Sequence, residues 1–449
     1  MSHLSVRAVL MTVAVFLPAS VPAFSDSQVR TVRLSYIEGG VQIARGSAQQ
    51  FENAIVNLPI TQNTRLRTAQ DGRAEVEFEN GSTIRLAPNS TIEFPQLVLR
   101  DSGGKASSVE VSKGTVYVDF SAEKNDEFVV QFGKEKLALS HSAHLRVGIT
   151  NEGATVAVFK GDIQIEGPSG SLQVKKNQTG TFDFANDDHA TLTKNVEQEP
   201  LDTWDKQQTD YHVRYASNSY QSYSPYAYGT ADMAYYGNFF NAPGYGIMWQ
   251  PYFVGAGWDP FMDGAWAFSP GGGFGWVSAY PWGWTPYHYG TWVFLPGYGW
   301  AWQPGGAWTG WYAQPRVVNA PRGFTVPQAP SGTRTLIVNR GTGVSTGSSS
   351  ISGNKVVIRN NSAGLGVPRG QVNNLPKVSQ QAQTRGTVTE RVHTAPVSAP
   401  APVMTSSGHS SGSIGPSSRA SQPMPRSSSP SPAPSSRPAP SMGGGRPQR

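Results

Sequence analysis

Two aspartates stand almost alone in a long aromatic stretch. Between Met233 and Gln314 the only acidic or basic side chains are Asp259 and Asp263. A pair of carboxylates can act as acid and base on a glycosidic bond, which gives one alternative reading, a carbohydrate-active enzyme using Asp259 and Asp263. Asp259-Pro260 and Asp263-Gly264 are also turn formers, and that is the reading favoured. His141 and His144 are three apart, so on a strand they point to opposite faces and do not readily share a metal. His288, between Tyr287 and Tyr289, is placed to lie in an aromatic groove. The chain has no nucleophile elbow, phosphate loop, dinucleotide fingerprint or His-Glu-x-x-His helix. No catalytic residue, cofactor or metal is therefore expected, and the first expectation is a non-enzymatic binding protein.

The remaining chemistry is aromatic. All 12 tryptophans lie between Trp204 and Trp311. Large rings with few charges serve carbohydrate stacking, ligand grooves and protein interfaces. Trp249, Trp258, Trp276, Trp282, Trp284, Tyr287, His288, Trp300 and Trp302 are the candidate ligand contacts. The competing expectation is that most of these rings form a core, because alternate positions of a strand must point inward.

The elements that position them are repeated. Gly264, Trp266, Phe268 and Pro270 recur at Gly290, Trp292, Phe294 and Pro296, 26 residues later. Pro243-Gly-Tyr-Gly recurs at Pro296-Gly-Tyr-Gly, and a Trp-Gln-Pro follows each at 249–251 and 302–304. Alternation puts Trp292 and Phe294 on one face, and Pro-Gly-Tyr-Gly reverses the chain. Each unit is predicted to be a β-hairpin, and the three are expected to pack side by side, because a lone hairpin is marginal in water. The segment resembles an uncharacterised Trp/Tyr/Gly-rich repeat family of secreted bacterial proteins.

The N-terminus reads as a secretory signal over residues 1–23: Arg7, an apolar run from Ala8 to Leu17, then Val21-Pro22-Ala23. That run falls short of the ~20 apolar residues a membrane-spanning helix needs, and no later segment is apolar for longer. The chain has no cysteine, so disulfides, thiol catalysis and lipobox anchoring are excluded. Export to the periplasm or cell surface is expected, with no transmembrane helix in the mature chain. The formal charge of +6 is unevenly spread: from Arg316 onward there are 15 Lys and Arg against one acid, Glu390, leaving 21 basic and 29 acidic residues before it. For an exported chain the expected partners are an envelope protein or a cell-wall or surface glycan rather than nucleic acid.

Residues 29–185 alternate as an antiparallel β domain. Arg73 to Phe78 sets Ala74, Val76 and Phe78 opposite Glu75 and Glu77. Asn80-Gly81 then turns the chain into Thr83-Ile-Arg-Leu86. Short strands follow at regular spacing, which suggests a β-sandwich or jelly-roll-like fold. The run Thr68-Ala-Gln-Asp-Gly72, Val76-Glu-Phe78, Asn80-Gly81-Ser82-Thr-Ile-Arg-Leu86, with Gly114-Thr-Val-Tyr117 and Val156-Ala-Val158-Phe-Lys-Gly161-Asp-Ile-Gln-Ile165, resembles the FecR-type periplasmic domain over roughly a third of the chain. Where that family has Gly-Thr-x-Phe-x-Val, this chain reads Ala143-His-Leu-Arg-Val147. The resemblance implies a sensory role. Its iron-citrate prototype relays a transporter's state to a sigma factor through a transmembrane helix and a cytoplasmic segment. Sigma-factor signalling by this chain would accordingly act through a separate membrane partner.

Residues 197–216 are expected to form a connector helix, with Leu201, Trp204, Gln208, Tyr211 and Tyr215 along one stripe. The aromatic hairpin-repeat domain spans 233–315. Residues 316–375 read as weakly ordered, and 376–449 as a disordered Ser/Pro-rich basic tail. The expected class is mainly β.

Overall fold

A computed structural model describes residues 30–46, 50–216, 223–269, 273–309, 314–332, 336–339 and 354–393. The expected signal sequence and the chain beyond residue 393 lie outside them.

The strands from Val32–Glu38 to His189–Thr193 build two sheets packed face to face. In the first, Val32–Glu38, Arg73–Glu77, Thr83–Leu86, the second half of Lys105–Phe120, Ala143–Ile149 and Gly153–Lys160 are successive neighbours. In the second, the first half of Lys105–Phe120 lies between Thr91–Leu99 and Glu127–Phe132, the latter pairing in parallel. The strand Lys105–Phe120 thus belongs to both sheets. Alternation supplies the core: Val76, Ile84, Val118 and Leu145 from one sheet meet Leu66, Ile92, Val130 and Ile165 from the other, all fully buried. The expected Asn80-Gly81 turn is present, with Glu77 opposite Thr83 and Gly81 at φ 81°.

Helix α1 (Asp202–Ala216) is the connector, starting later than residue 197. Trp204, Gln208 and Tyr211 of the expected stripe are buried, with Asp205 beside them. Two short helices follow, α2 (Thr230–Tyr236) and α3 (Thr285–His288).

The three repeats are hairpins: Gly237–Ala242 with Gly246–Pro251, Asp263–Ser269 with Gly273–Ser278, and Thr291–Leu295 with Gly299–Gln303. Each has a glycine at or beside the start of its outgoing strand and a tryptophan twelve residues on: Gly237 and Trp249, Gly264 and Trp276, Gly290 and Trp302. The spacing has a steric cause. A Cβ on these glycines would lie 2.6 Å from Trp249 Cε2, 2.7 Å from Trp276 Cε2 and 2.6 Å from Trp302 Nε1. The indole of the returning strand therefore lies over the bare backbone of the outgoing one, beside its direct cross-strand partner, Phe239, Trp266 or Trp292.

The hairpins do not all lie side by side, which corrects the expectation. The first and third join through Trp249 opposite Trp302, and their other faces share a small apolar cluster of Ala242, Met248, Val293, Leu295 and Ala301. The second hairpin forms a separate sheet with Leu336–Asn339. The reason lies in its small residues: Ala267 and Val277 pack into the core of the N-terminal β unit, while Trp266 and Trp276 face the aromatic core.

Order also extends past residue 376, another correction. Lys355–Arg359 pairs with Thr387–Arg391, and helix α4 (Leu375–Arg385) lies between them in sequence. Leu375, Val378 and Ala382 of α4 join the aromatic core with Val356 and Ile358. The tail was expected to lack enough apolar surface, but the tryptophan cluster supplies the partner surface that this segment lacks by itself.

Candidate functional site

The nine candidate ligand contacts are all buried, none more than 5% exposed. Trp282 is the hub, with its ring centroid 5.0 Å from Trp249 and from Tyr280, 6.0 Å from Trp292 and 6.2 Å from Trp258. Three of the indole donors are used internally on backbone carbonyls: Trp249 Nε1 donates to the Met233 carbonyl at 3.1 Å, Trp282 Nε1 to the Ala363 carbonyl at 2.7 Å and Trp302 Nε1 to the Tyr289 carbonyl at 2.6 Å. Tyr287 donates its hydroxyl to the Pro260 carbonyl. His288 sits 4.5 Å from the Trp284 ring, and burial pushes its pKa down to about 4. These rings are core, so the expected contact face made of them is corrected. Trp258 and Trp300 also border a groove, and Trp302 lines a small pocket beside Tyr223 and Phe239.

The remaining sequence candidates separate. Asp259 Oδ1 accepts from the Phe261 amide at 2.8 Å, as a turn-forming aspartate does. Asp263 begins the strand Asp263–Ser269, opposite Asn339, which corrects the turn expected there. It is buried and accepts from the Tyr280 hydroxyl at 3.1 Å, and burial raises its carboxyl. His144 Nε2 lies 2.7 Å from Asp205 Oδ2, whereas exposed His141 contacts Ser140 at 2.9 Å, so the two histidines do not converge. Among the described residues no cluster of potential ligands could hold a metal.

What sequence reasoning missed is a buried charge junction on the outer face of the first sheet. Alternation places Glu75 and Glu77 opposite the core, as expected, yet they are only 0% and 2% exposed. Arg369 reaches them from the C-terminal segment. Its Nη1 donates to Glu75 Oε1 at 2.7 Å, while Nε and Nη2 donate to both oxygens of Asp232 on α2 at 3.0 and 2.9 Å. Arg33 Nη1 lies 3.0 Å from Glu77 and 2.7 Å from Asp232, and its Nη2 donates to the Pro281 carbonyl at 2.6 Å. Arg85 joins Glu75 at 2.8 Å to Asp205 of α1 at 2.7 Å. His212 Nε2 stands 2.9 Å from Glu75, and Tyr211 donates to Asp232 at 2.7 Å.

The electrostatics follow from the geometry. Burial alone would raise Glu75, but His212, Arg369 and Arg85 outweigh it and hold the carboxyl well below its usual range. Asp232 is held down against burial by Arg369 and Arg33, and Asp205 by His144 and Arg85. Glu77 differs: burial dominates, His212 and Arg33 only partly offset it, and its pKa is raised. No sequence period could have paired Glu75 with Arg369, 294 residues away. Arg33 and Arg85 on alternating β positions were the one readable hint.

The cavity is a groove of about 730 Å³ between the first and third hairpins, the loop at 252–258 and α4. The two Pro-Gly-Tyr-Gly turns shape this region in matching ways. Gly244 and Gly246 have φ 79°, and Gly297 and Gly299 have φ 81°, values that glycine takes without strain. Gln250 Nε2 donates to the Tyr298 carbonyl at 2.9 Å, and Gln303 Nε2 donates to the Tyr245 carbonyl at 2.9 Å. Each Trp-Gln-Pro glutamine thus pins the turn of the other hairpin, a reciprocal lock that leaves Tyr298 half exposed.

Comparison with known proteins agrees with this division. Residues 64–164 match the FecR protein family, and residues 230–326 match a family of unknown function, DUF6600. The chain therefore carries a FecR domain followed by a separate DUF6600 domain. No curated protein matches the chain. Two crystal structures of a candidate anti-sigma factor from Parabacteroides distasonis ATCC 8503 are similar over 31% of this chain, with 13% and 14% sequence identity and a TM-score of 0.27 in both cases. The chain spans 63% of the length of those structures.

Proposed function

We propose that this chain is a non-enzymatic, exported envelope protein. In it a FecR-like sensor or binding domain is fastened to the DUF6600 domain, and partner contacts on the aromatic half are felt by the FecR half. The observation that supports this reading most is the Arg369, Glu75, Asp232 and Arg33 junction. Its charges come from both domains and from the C-terminal segment, and all four are buried. Paired buried charges of this kind fix relative geometry, because separating them leaves a charge without water or counter-ion. Asp259 and Asp263 are engaged in a turn and with Tyr280, which weighs against an acid–base pair.

Among the described residues no helix is long and apolar enough to cross a membrane. A signal to the cytoplasm would pass through a membrane protein bound in the envelope. The test has two parts, both in cells of the source organism. Photo-crosslinking from exposed FecR-domain positions such as Val98 should trap a membrane protein. Deleting the chain should change an extracytoplasmic regulon, with recovery on complementation. Unchanged transcripts together with no trapped envelope partner would overturn the role.

A further inference from the structure

The groove beside α4 has an uncharged lining that is part aromatic and part amide. We infer that it binds a neutral oligosaccharide segment, a ligand class that rests on the binding role just proposed and makes it more specific. Among the described residues no acidic or basic side chain and no histidine lines the groove. Half-exposed Tyr298 and partly buried Tyr252 form the aromatic side over the buried rings of Trp258 and Trp300, and Asn238, Gln250, Gln380 and Gln383 form the amide side. The volume of about 730 Å³ is within the usual range for small-molecule sites.

The lining discriminates between ligand classes. A phosphate or carboxylate would find no cation to replace its water, and an amine would find no anion. A purely apolar ligand would strip water from the amides and give no hydrogen bond back. A neutral sugar satisfies both walls. Its C–H faces cover aromatic rings, and its hydroxyls donate to and accept from amides, each of which offers both functions. Among the described residues the side-chain amides of Asn238, Gln380 and Gln383 have no hydrogen-bond partner. Gln250 spends its NH₂ on the Tyr298 and Trp300 carbonyls, both at 2.9 Å, which leaves its carbonyl oxygen as an acceptor.

The site is also built in advance. Tyr298 is 50% exposed, yet its backbone is held by Gln250 and one side of its ring stacks on Phe240 at 5.5 Å and 19°. Helix α4 is held against the loop because Phe253 donates its amide to Ser379 Oγ at 2.9 Å. Walls fixed before binding lower the ordering cost that weak sugar contacts would otherwise have to offset.

The test titrates the full-length processed protein with neutral tetrasaccharides of glucose, xylose and N-acetylglucosamine, followed by calorimetry and tryptophan fluorescence. Saturable binding of at least one is expected. Tyr298→Ala should weaken it by about ten-fold, and the Gln380→Ala/Gln383→Ala pair by about five-fold, corresponding to the loss of one or two contacts. These side chains are exposed, so the variants should melt with the parent protein, and a melting scan verifies that they fold. Absence of binding by all three sugars would overturn the inference. So would binding unchanged in both variants, or occupation of the groove by a synthetic proline-rich peptide of residues 421–441 in place of sugar. The crosslinking and regulon experiments read independently. A positive result there with no sugar bound removes only the ligand assignment, whereas sugar binding lost in these variants supports the groove whatever the regulon does.

Discussion

Arg369 illustrates how much one side chain can carry. Its guanidinium donates to Glu75 and to both oxygens of Asp232 and also to the Ser35 carbonyl at 3.0 Å. Removing one member of such a group strands the others in a dry site. Arg369→Ala is expected to lower stability by about 3–5 kcal/mol in urea unfolding. The same junction sets the acid limit. Glu75, Asp205 and Asp232 have folded pKa values below their ordinary 4.5, 3.8 and 3.8, so their stabilisation is present above those values and lost as pH falls below them. Glu77, raised by burial, acts in the opposite sense, its contribution declining as pH rises past 4.5. His288 adds a separate window. With a folded pKa of about 4 against 6.5 unfolded, it stays neutral while the unfolded chain takes up a proton. Stability should fall as pH drops through that window, by up to about 3 kcal/mol, and thermal melts of His288→Phe between these pH values should show a flatter profile.

At the scale of elements the hairpins were legible and their assembly was not. Glycine, aromatic and Pro-Gly spacing gave three strand–turn–strand units, because steric rules act within a dozen residues. The same rule predicts their weak point. Gly264→Ala would drive a methyl into Trp276 and should lower the urea midpoint by the equivalent of about 1–3 kcal/mol, whereas Gly257→Ala, with open space around it, should cost much less. Which hairpins would pair depended on the faces away from the tryptophans, where Ala267 and Val277 differ from Val293 and Leu295. Helix α4 was readable in hindsight. Asn374 accepts from the Lys377 amide at 3.4 Å, Pro376 occupies the first turn and Gly386 ends the helix at φ 79°. Those capping signals were outweighed by the polar, Ser/Pro-rich composition around them.

At the scale of the whole molecule the FecR domain, the DUF6600 domain and residues 354–393 depend on one another. A chain ending at residue 353 would lose Arg369 and the apolar residues Val356, Ile358, Leu375 and Val378 from the aromatic core. Limited proteolysis should then cut within residues 230–326 at protease levels that leave the full chain intact, and the tryptophan unfolding transition should broaden. By itself the sequence determined what local rules decide: the alternation that builds a two-sheet FecR-like domain, the turn at Asn80-Gly81, the repeat of aromatic hairpins and the stripe of α1. It also set two expectations from positions only a few residues apart: that most rings form core, and that Asp259 and Asp263 are turn residues, which holds for Asp259 but not for Asp263, the first residue of a paired strand. Tertiary structure alone decided that the outer face carrying Glu75 and Glu77 is covered, that Arg369 neutralises it, and that two distant Pro-Gly-Tyr-Gly turns meet α4 around a groove. Burial and charge pairing across hundreds of residues depend on how whole surfaces meet, and no spacing along the chain encodes that.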